Sequence, residues 1–429
     1  MMLSKYSGMI SKTVIILCGG KGSRSANPSL AKSLQLIDSE TLLKKQILSL
    51  NPNSSHQIIF IAGWDSKALI NEVDEIMPAY PECIWSVIVE ENPRGTNNAV
   101  IDALHQILSE NVMILLGDLY FECDVDKYFE IWKRYQSDVL LIGHPNDHPA
   151  DSDLVLYDTF SLVVQRHLSK KRKIVSSEGN MALAGITLMR KQHIARLDNS
   201  MNELVDAIFA IRDPDLQINV FPTNDFIKDT GTADRLEEVR RMKSYERGRL
   251  KSAVFLDFDG TLVSNQEIKI SFSPELLDKR IIRELENLSK KDIPIFIVTN
   301  QPGIAKGFFT KDQFNRYREA FETTLAKNGI KIYRWFVCPH HPESGFQGEI
   351  LELKKICACR KPQTAFATEA KNYYHVDLTR SYMFGDSEID REFAYNAGIK
   401  FEKVTLMYDQ IDIGTEWTWQ ALNRIRRIL

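Results

Sequence analysis

The chain has 429 residues, which exceeds the usual size of one domain and suits two, and its 44% hydrophobic and 26% charged residues are typical of a soluble globular protein. A formal net charge of -3 gives no electrostatic basis for binding nucleic acid or an anionic membrane. No apolar run approaches the ~20 residues that span a bilayer, and the polar N-terminus lacks a signal-peptide core. We therefore expect a cytoplasmic protein whose six cysteines are reduced.

Apolar, β-branched runs recur along both halves of the chain at the spacing of alternating strands and helices. In the first half they cover residues 13–17, 58–62, 85–89, 112–116 and 139–142, and in the second half residues 253–256, 293–298, 333–337 and 382–384. Unbroken apolar runs are typical of buried parallel strands. The pattern predicts an α/β protein with two doubly wound domains. A charged helix and linker, residues 233–250, place the boundary near Tyr245, giving domains 1–244 and 245–429.

A glycine-rich turn directly follows the first predicted strand. Gly19, Gly20 and Gly22 would let the backbone approach phosphate groups closely, and Arg24 adds a cation that can hold a triphosphate. A tight strand–helix turn would explain the glycines equally well, so this segment needs support from elsewhere in the chain.

Further segments make residues 13–236 resemble the sugar-1-phosphate nucleotidyltransferases, which have a Rossmann-like, GT-A-like fold. They are AKSLQLI around Lys32, ENPRGTNNA with Gly95 and Thr96, LGD ending at Asp118, and DTGT beginning at Asp229. The resemblance implies that Arg24 and Lys32 neutralise the phosphates of a nucleoside triphosphate, with Gly95 and Thr96 near base and sugar. It also implies Mg²⁺ on Asp118 and Asp229, with in-line attack by the sugar phosphate.

Two carboxylates follow the strand that opens the second half, in the segment LDFDGTLV. Asp257 comes at the end of the strand and Asp259 two residues later, at the edge where α/β sheets bind ligands. One carboxylate can attack phosphorus, while the other protonates the leaving oxygen and then activates water. Such a site needs a cation to neutralise the phosphate, and carboxylates favour Mg²⁺.

Three more polar clusters follow in the order typical of haloacid-dehalogenase phosphatases, which the chain resembles from about residue 252 onward. Thr299 and Asn300 close a second strand, Arg360 and Lys361 supply cations, and Asp386 closes a third strand. The resemblance implies that Thr299 and Asn300 contact phosphate and that Arg360 and Lys361 hold it and stabilise the nucleophile. Asp257, Asp259 and Asp386 would then be the Mg²⁺ ligands.

Four soft ligands form two tight pairs in the segment between Asn300 and Arg360. Cys338 and His340 make a CxH pair, and Cys357 and Cys359 a CxC pair. Three thiolates and one imidazole match a closed tetrahedral site, so we expect structural Zn²⁺ that fixes a long loop over the phosphatase pocket. His341 is expected to be a neighbour rather than a ligand.

The segments CPHHP, CxC, CRKP and TNQPGIAKGFF resemble heptose-bisphosphate phosphatases, and histidinol-phosphate phosphatases share the zinc loop. Phe258 and Ser387 depart from them, because the relatives usually carry basic residues at these positions. Together the halves predict a phosphatase acting on D-glycero-D-manno-heptose 1,7-bisphosphate and a transferase that adds a nucleotide, by resemblance from GTP, to the 1-phosphate.

Two alternatives stay open. Both activities could act on another sugar or polyol phosphate with CTP or UTP, or an inactive nucleotide-sugar-binding domain could regulate the phosphatase. The expected partners are small molecules, a sugar phosphate and a nucleoside triphosphate, with no nucleic acid and no membrane. A homo-oligomer is left open.

Overall fold

The computed structural model describes residues 10–20, 30–121, 123–145, 152–170, 181–241, 250–263, 277, 279–404 and 424. Gly22 and Arg24 of the predicted nucleotide loop lie outside the described residues. Among the described helices, none is both long enough and apolar enough to cross a bilayer. The chain forms two compact units, the first made of Met1–Gly143, Leu183–Phe221 and Asp225–Gly248, the second of His144–Ala182, Pro222–Asn224 and Arg249–Leu429.

The described strands, in chain order, confirm the predicted alternation. They are β1 (Lys12–Leu17), β2 (Leu36–Ile37), β3 (Glu40–Thr41), β4 (His56–Ala62), β5 (Ile84–Val89), β6 (Asn111–Leu116), β7 (Leu119–Phe121), β8 (Val139–Pro145), β9 (Leu154–Tyr157), β10 (Val164–Leu168), β11 (Met181–Arg190), β12 (Ile218–Pro222), β13 (Ile227–Asp229), β14 (Val254–Leu256), β15 (Ile295–Asn300), β16 (Ile332–Cys338), β17 (Tyr382–Gly385) and β18 (Lys400–Lys403).

The described helices occupy the segments between these strands. They are α1 (Leu42–Leu50), α2 (Ser66–Ile76), α3 (Thr96–Ala103), α4 (Lys127–Tyr135), α5 (Lys191–Ile194), α6 (Leu204–Ala210), α7 (Ala233–Arg241), α8 (Lys279–Lys290), α9 (Pro302–Ala305), α10 (Lys311–Ala326), α11 (Ala365–Tyr373) and α12 (Glu388–Ala397). The predicted charged helix of residues 233–250 is α7, whose end at Arg241 meets residues outside the description.

The sheet of the first unit has β1 near its centre. The order β11-β6-β1-β4-β5 includes parallel pairs of β1 with β4 and β6 and of β4 with β5, while β11 is antiparallel to β6. The middle of β1, Val14 to Ile16, is at most 1% exposed. Burial on both faces explains its unbroken apolar sequence. The carboxyl ends of β1, β4, β5 and β6 therefore lie along one edge.

The sheet of the second unit is parallel throughout its described strands, in the order β16-β15-β14-β17-β18. The strand β14 is therefore flanked by β15 and β17, and the residues that follow these three strands meet at one edge of the sheet. Against this sheet packs an aromatic core in which the Phe258 ring meets Tyr317, Phe321 and Trp335 edge to face at centroid distances of 5.9, 5.1 and 5.0 Å.

The second unit contains a segment that is distant in sequence from the rest of it. Residues 144–182, which include the antiparallel hairpin of β9 and β10, belong to this unit although all of them precede the predicted boundary at residue 245. The compact units are thus discontinuous in sequence, whereas the pattern of the sequence predicted two uninterrupted domains.

Candidate functional sites

The candidate phosphatase site is built from residues that follow β14, β15 and β17. Asp257 lies directly after β14, Asn300 ends β15, and Asp386 follows β17. Gly260 has a φ of +80°, and a side chain there would collide with the Asp386 carboxylate. The glycine of the DxDG segment is thus required both by its backbone conformation and by its close approach to a predicted metal ligand.

A buried lysine joins two carboxylates at the centre of this site. The Lys361 Nζ donates to Asp257 Oδ1 at 2.6 Å and to Asp390 Oδ1 at 2.5 Å, and all three residues are buried. Burial raises the pKa of Asp257 to about 7, although the charge of Lys361 opposes the rise. Burial lowers the pKa of Lys361, but Asp257 and Asp390 outweigh it, so the net shift is upward and the ammonium stays charged.

Asp259, the predicted acid/base residue, is held by the amide of Gln301, which was not among the predicted site residues. The Gln301 Nε2 donates to Asp259 Oδ2 at 2.6 Å and to Thr299 Oγ1 at 3.0 Å. Both Gln301 and Thr299 are buried. One side chain therefore fixes the orientation of Asp259 and of the hydroxyl predicted to contact phosphate.

The amide of Asn300 and the guanidinium of Arg360 are engaged with backbone. Asn300 accepts from Lys361 N at 3.0 Å and donates to Lys361 O at 3.1 Å, while Arg360 Nη1 donates to His340 O at 3.1 Å. Asn300 thus positions the buried lysine, and the phosphate contact that the resemblance implied stays a prediction.

Three carboxylates of this site could hold a metal ion. Oxygens of Asp257, Asp386 and Asp390 lie within 4.8 Å of one another. Asp390 is the N3 residue of a capping box at the start of α12, where its Oδ2 accepts from Ser387 Oγ at 2.6 Å. Asp259, predicted as a further ligand, is not a member of this carboxylate group. Hard oxygen donors of this kind fit a divalent cation.

The Cys/His cluster comes together as its spacing predicted. The Sγ atoms of Cys338, Cys357 and Cys359 are 3.3 to 3.5 Å apart, and His340 Nδ1 lies 3.6 Å from Cys338 and 3.3 Å from Cys359. A tetrahedral zinc with bonds of about 2.3 Å needs ligand atoms a little under ~4 Å apart, so the donor set fits that metal. The hydrogen bond with Cys338 lowers the pKa of Cys359 to about 5. His341 is not in the cluster, as expected.

The candidate transferase site lies where β1, β6 and β13 end. The Lys32 Nζ donates to Asp118 Oδ2 at 2.7 Å. A Cβ placed on Gly231 would lie 2.8 Å from Asp229 Oδ1, 3.2 Å from Lys32 Nζ and 3.4 Å from Asp118 Oδ2. The structure therefore brings together the lysine and both aspartates around a glycine that leaves room for them. Arg235 pairs with the other oxygen of Asp229.

A carboxylate that the sequence had not indicated adjoins the glycine-rich turn. Glu90 follows β5, and its Oε2 would lie 2.8 Å from a Cβ on Gly19. Burial raises the pKa of Glu90, with Asp102 adding to the rise. The neighbouring Gly20 has the side chain of Lys32 as its nearest partner, 4.0 Å from a Cβ built there. Glu90 thus faces the turn predicted to bind the nucleotide.

The predicted pair Gly95 and Thr96 begins α3. Gly95 has a φ of +98°, and a side chain there would collide with the carbonyl of Asn202. The Thr96 hydroxyl accepts from Leu204 N at 2.9 Å. Both residues therefore have a folding role that accounts for their presence, and their predicted contact with base and sugar stays a prediction.

Comparison with known families assigns each half to an enzyme class. Residues 14–219 match the MobA-like NTP transferase domain, and residues 252–406 match the polynucleotide kinase 3 phosphatase family. The predicted combination is confirmed: the chain is a nucleotidyltransferase followed by a phosphatase of the haloacid-dehalogenase type.

Curated relatives refine the second assignment. The D-glycero-beta-D-manno-heptose-1,7-bisphosphate 7-phosphatase of Escherichia coli (strain K12) is 36% identical over 148 residues, which are 34% of this chain and 75% of the relative. A probable 7-phosphatase of Thermoplasma acidophilum is 32% identical over 175 residues, 40% of this chain and 99% of the relative. The chain belongs to the D-glycero-D-manno-heptose-1,7-bisphosphate 7-phosphatase family.

Solved structures similar to this chain include HddC from Yersinia pseudotuberculosis, with 19% identity and a TM-score of 0.44 over 53% of this chain and 97% of that one. The same protein complexed with GMP-PN gives 20% identity and a TM-score of 0.43, with the same coverage. These scores are too low for either structure to inform the function of this chain.

Proposed function

We propose that the chain removes the 7-phosphate of D-glycero-D-manno-heptose 1,7-bisphosphate and then transfers GMP from GTP to the remaining 1-phosphate, giving GDP-heptose and pyrophosphate. One observation carries the proposal: two enzyme classes share the chain, and the product of one is a substrate for the other. A sugar 1-phosphate is the group that a sugar nucleotidyltransferase accepts, and removal of a distal phosphate from a bisphosphorylated sugar yields it.

In the phosphatase step, Asp257 attacks phosphorus and Asp259 protonates the departing sugar oxygen, since Gln301 holds the Asp259 carboxylate at 2.6 Å. Asp259 then removes a proton from the water that cleaves the aspartyl phosphate. Lys361 stabilises the charge on Asp257 and on the transferring group. Mg²⁺ held by Asp257, Asp386 and Asp390 would neutralise the phosphate oxygens.

A cationic rim beside this site supports a substrate with a second phosphate. Burial lowers the pKa of His341, and the charges of Lys306 and Arg360 lower it further, so both cations act on this imidazole. Lys306 lies over the Phe346 ring at 4.6 Å. Arg360 is the immediate neighbour of Lys361 in sequence. Such a rim fits the dianionic 1-phosphate that remains on the sugar.

In the transferase step, Lys32 would neutralise the triphosphate while Asp118 and Asp229 hold Mg²⁺ at the α-phosphate. Glu90 supports the choice of guanine. A carboxylate offers two adjacent acceptors, and guanine is the base whose N1–H and N2–H₂ present two adjacent donors on one edge. The half-buried Glu90 beside Gly19 therefore fits GTP better than the other nucleotides.

We further propose structural Zn²⁺ at the Cys338 cluster and a cytoplasmic location, where the thiols of this cluster stay reduced.

The two alternative functions lose part of their motivation. Phe258, the departure that favoured another substrate, is fully buried among aromatic rings and does not belong to the carboxylate site. The transferase residues Lys32, Asp118 and Asp229 converge around Gly231, which disfavours an inactive regulatory domain.

A coupled assay on the purified chain tests the proposal. We would supply D-glycero-D-manno-heptose 1,7-bisphosphate and Mg²⁺ with GTP, CTP, UTP or ATP in turn, and follow phosphate and nucleotide-sugar by mass spectrometry. Phosphate release followed by GDP-heptose is the expected result. A Glu90→Gln variant should lose at least about tenfold in kcat/KM for GTP, because a donor then faces the guanine edge. No phosphate from this bisphosphate would refute the heptose assignment.

A further inference from the structure

The hairpin of β9 and β10 contacts helix α10 of its own unit through buried polar groups. We call residues 157–163, the last residue of β9 and the turn that leads to β10, the hairpin tip. Thr159 donates to Asn315 Oδ1 through its backbone N at 3.1 Å and through its hydroxyl at 2.6 Å, and Asn315 Nδ2 donates to Asp158 Oδ2 at 2.7 Å. Thr159 is 1% exposed and Asn315 3%. Every polar atom of the Asn315 side chain is therefore used on the hairpin tip.

An arginine one turn further along α10 binds the same tip. Arg318 is 1% exposed; its Nη2 donates to Tyr157 O at 3.2 Å, and its guanidinium lies 4.5 Å from the centroid of the Tyr157 ring. Its Nη1 donates to Glu322 at 3.0 Å, which balances the charge. From β16, Arg334 Nη1 donates to Thr159 O at 3.1 Å. Two buried arginines thus satisfy backbone carbonyls of the tip.

The tip has a conformation of its own that suits this docking. Asp158 Oδ1 accepts from Phe160 N, Ser161 N and Ser161 Oγ at 3.1, 2.8 and 2.7 Å. Leu162, which is fully buried, has a φ of +59°, a left-handed conformation that is unfavourable for a residue with a side chain. A strained and internally bonded turn of this kind persists where its surroundings determine it.

The adjacent face of the same helix reaches the phosphatase site. Three aromatic residues are spaced to share one side of α10: Phe314, Tyr317 and Phe321. Each directly precedes a residue that binds or supports the tip, namely Asn315, Arg318 and Glu322. Tyr317 and Phe321 hold the ring of Phe258, the residue between Asp257 and Asp259. A shift of α10 would therefore move the segment that carries both aspartates.

We propose that the hairpin tip is a positioning element of the phosphatase: docked through Thr159 on Asn315 and Arg318, it fixes α10 and thereby the placement of Asp257 and Asp259. The residues act through the helix and Phe258, not on the substrate. Displacement of a reacting group by as little as 1 Å can cost about a hundredfold in rate, so partial loosening of this contact should be visible in kcat.

The test compares full-length variants on p-nitrophenyl phosphate with Mg²⁺, so that it does not depend on the heptose assignment. Thr159→Val keeps the shape of the side chain and removes the hydroxyl donor, Asn315→Ala removes all three bonds, and Thr159→Ser restores the hydroxyl. Thr324→Val is the matched control, since Thr324 is on the same helix and its hydroxyl donates to the carbonyl of Ala320 within that helix. Rates are taken well below each Tm and compared with the transferase rate of the same sample.

We expect kcat to fall about fivefold in Thr159→Val and more than about tenfold in Asn315→Ala, with KM within about twofold. Thr159→Ser and Thr324→Val should stay within about twofold of the wild type. Wild-type kcat in folded Thr159→Val and Asn315→Ala would overturn the proposal. Parallel loss of both enzyme activities would overturn it as well, because that result indicates general destabilisation. If Asn315→Ala does not fold, the comparison of Thr159→Val with Thr159→Ser tests the proposal.

Discussion

A single buried lysine contacts two carboxylates of the candidate phosphatase site. Lys361 contacts Asp257 and Asp390 at 2.6 and 2.5 Å in a buried site, so one cation faces two carboxylates. Burial raises the pKa of Asp257 to about 7, well above its usual value of 3.8, although the charge of Lys361 opposes the rise. Without a metal Asp257, the proposed nucleophile, is therefore only partly ionised at neutral pH, and metal binding would complete its deprotonation.

This raised pKa predicts how metal affinity depends on pH. Above pH 7 Asp257 is ionised and free to bind Mg²⁺, whereas below pH 7 a proton competes for it. Affinity should therefore be about tenfold lower at pH 6 than at pH 8. Calorimetric titration of Mg²⁺ into an Asp118→Asn chain, in which the transferase site is weakened, measures this. Equal affinity at the two pH values would contradict the assignment.

Replacement of Gln301 should lower kcat of the phosphatase without changing KM. Replacement by leucine, which has a similar volume, removes the amide that donates to Asp259 at 2.6 Å and to Thr299 at 3.0 Å. Asp259 then lacks a fixed orientation for proton transfer, so phosphatase kcat should fall about 10- to 100-fold with little change in KM. Steady-state kinetics measures both constants, and an unchanged transferase rate in the same variant is the control. A loss confined to KM would assign Gln301 to substrate binding instead.

Secondary-structure elements explain which site residues the sequence could predict. Asp257, Thr299 and Asp386 follow or end unbroken apolar strands, and parallel strands bring such positions to one edge whatever their order. The metal cluster was predictable because its ligands come in two pairs, Cys338 with His340 and Cys357 with Cys359, and the members of each pair are two residues apart. In these cases local spacing already determines the arrangement, and the structure brings the predicted residues together.

Other features left no periodic signal in the sequence. Glu90 is an ordinary residue after a strand, and only the close approach of Gly19 shows where its carboxylate lies. The contact of Thr159 with Asn315 joins positions 156 residues apart, through single polar side chains that resemble solvated ones. The positions of such residues depend on tertiary contacts. The membership of residues 144–182 in the second unit therefore could not be predicted from composition or spacing.

The loop between β16 and α11 is the element whose stability should depend most on a metal. Cys357→Ala removes one of four ligands, so zinc content should fall below about a tenth of an atom per chain, and proteolysis within residues 341–356 should accelerate at least about tenfold. Elemental analysis and limited proteolysis measure these. Cys83→Ala, a buried cysteine outside the cluster, is the matched control and should keep its zinc. Full zinc occupancy in Cys357→Ala would refute the ligand assignment.

At the scale of the whole molecule, the two proposed sets of catalytic groups share no residue. Asp257, Asp259 and Lys361 belong to the phosphatase unit, while Lys32 and Asp118 belong to the other. The proposed intermediate, a sugar 1-phosphate, carries its remaining phosphate as the nucleophile of the second reaction. The two proposed steps are therefore linked only by this shared intermediate. Each site should operate when the other is disabled.

Two disabled chains should consequently restore the pathway when they are mixed. Asp257→Asn should lower phosphate release at least about a thousandfold while it still converts heptose 1-phosphate and GTP to GDP-heptose, because only the nucleophile is lost. Asp118→Asn should release phosphate normally and form little nucleotide-sugar, because the predicted metal carboxylate is lost. An equimolar mixture supplied with bisphosphate and GTP should then produce GDP-heptose, after a lag while the 1-phosphate accumulates in solution, as followed by mass spectrometry. Failure of the mixture, with each variant active in its own half-reaction, would show that the intermediate cannot leave one chain and enter another.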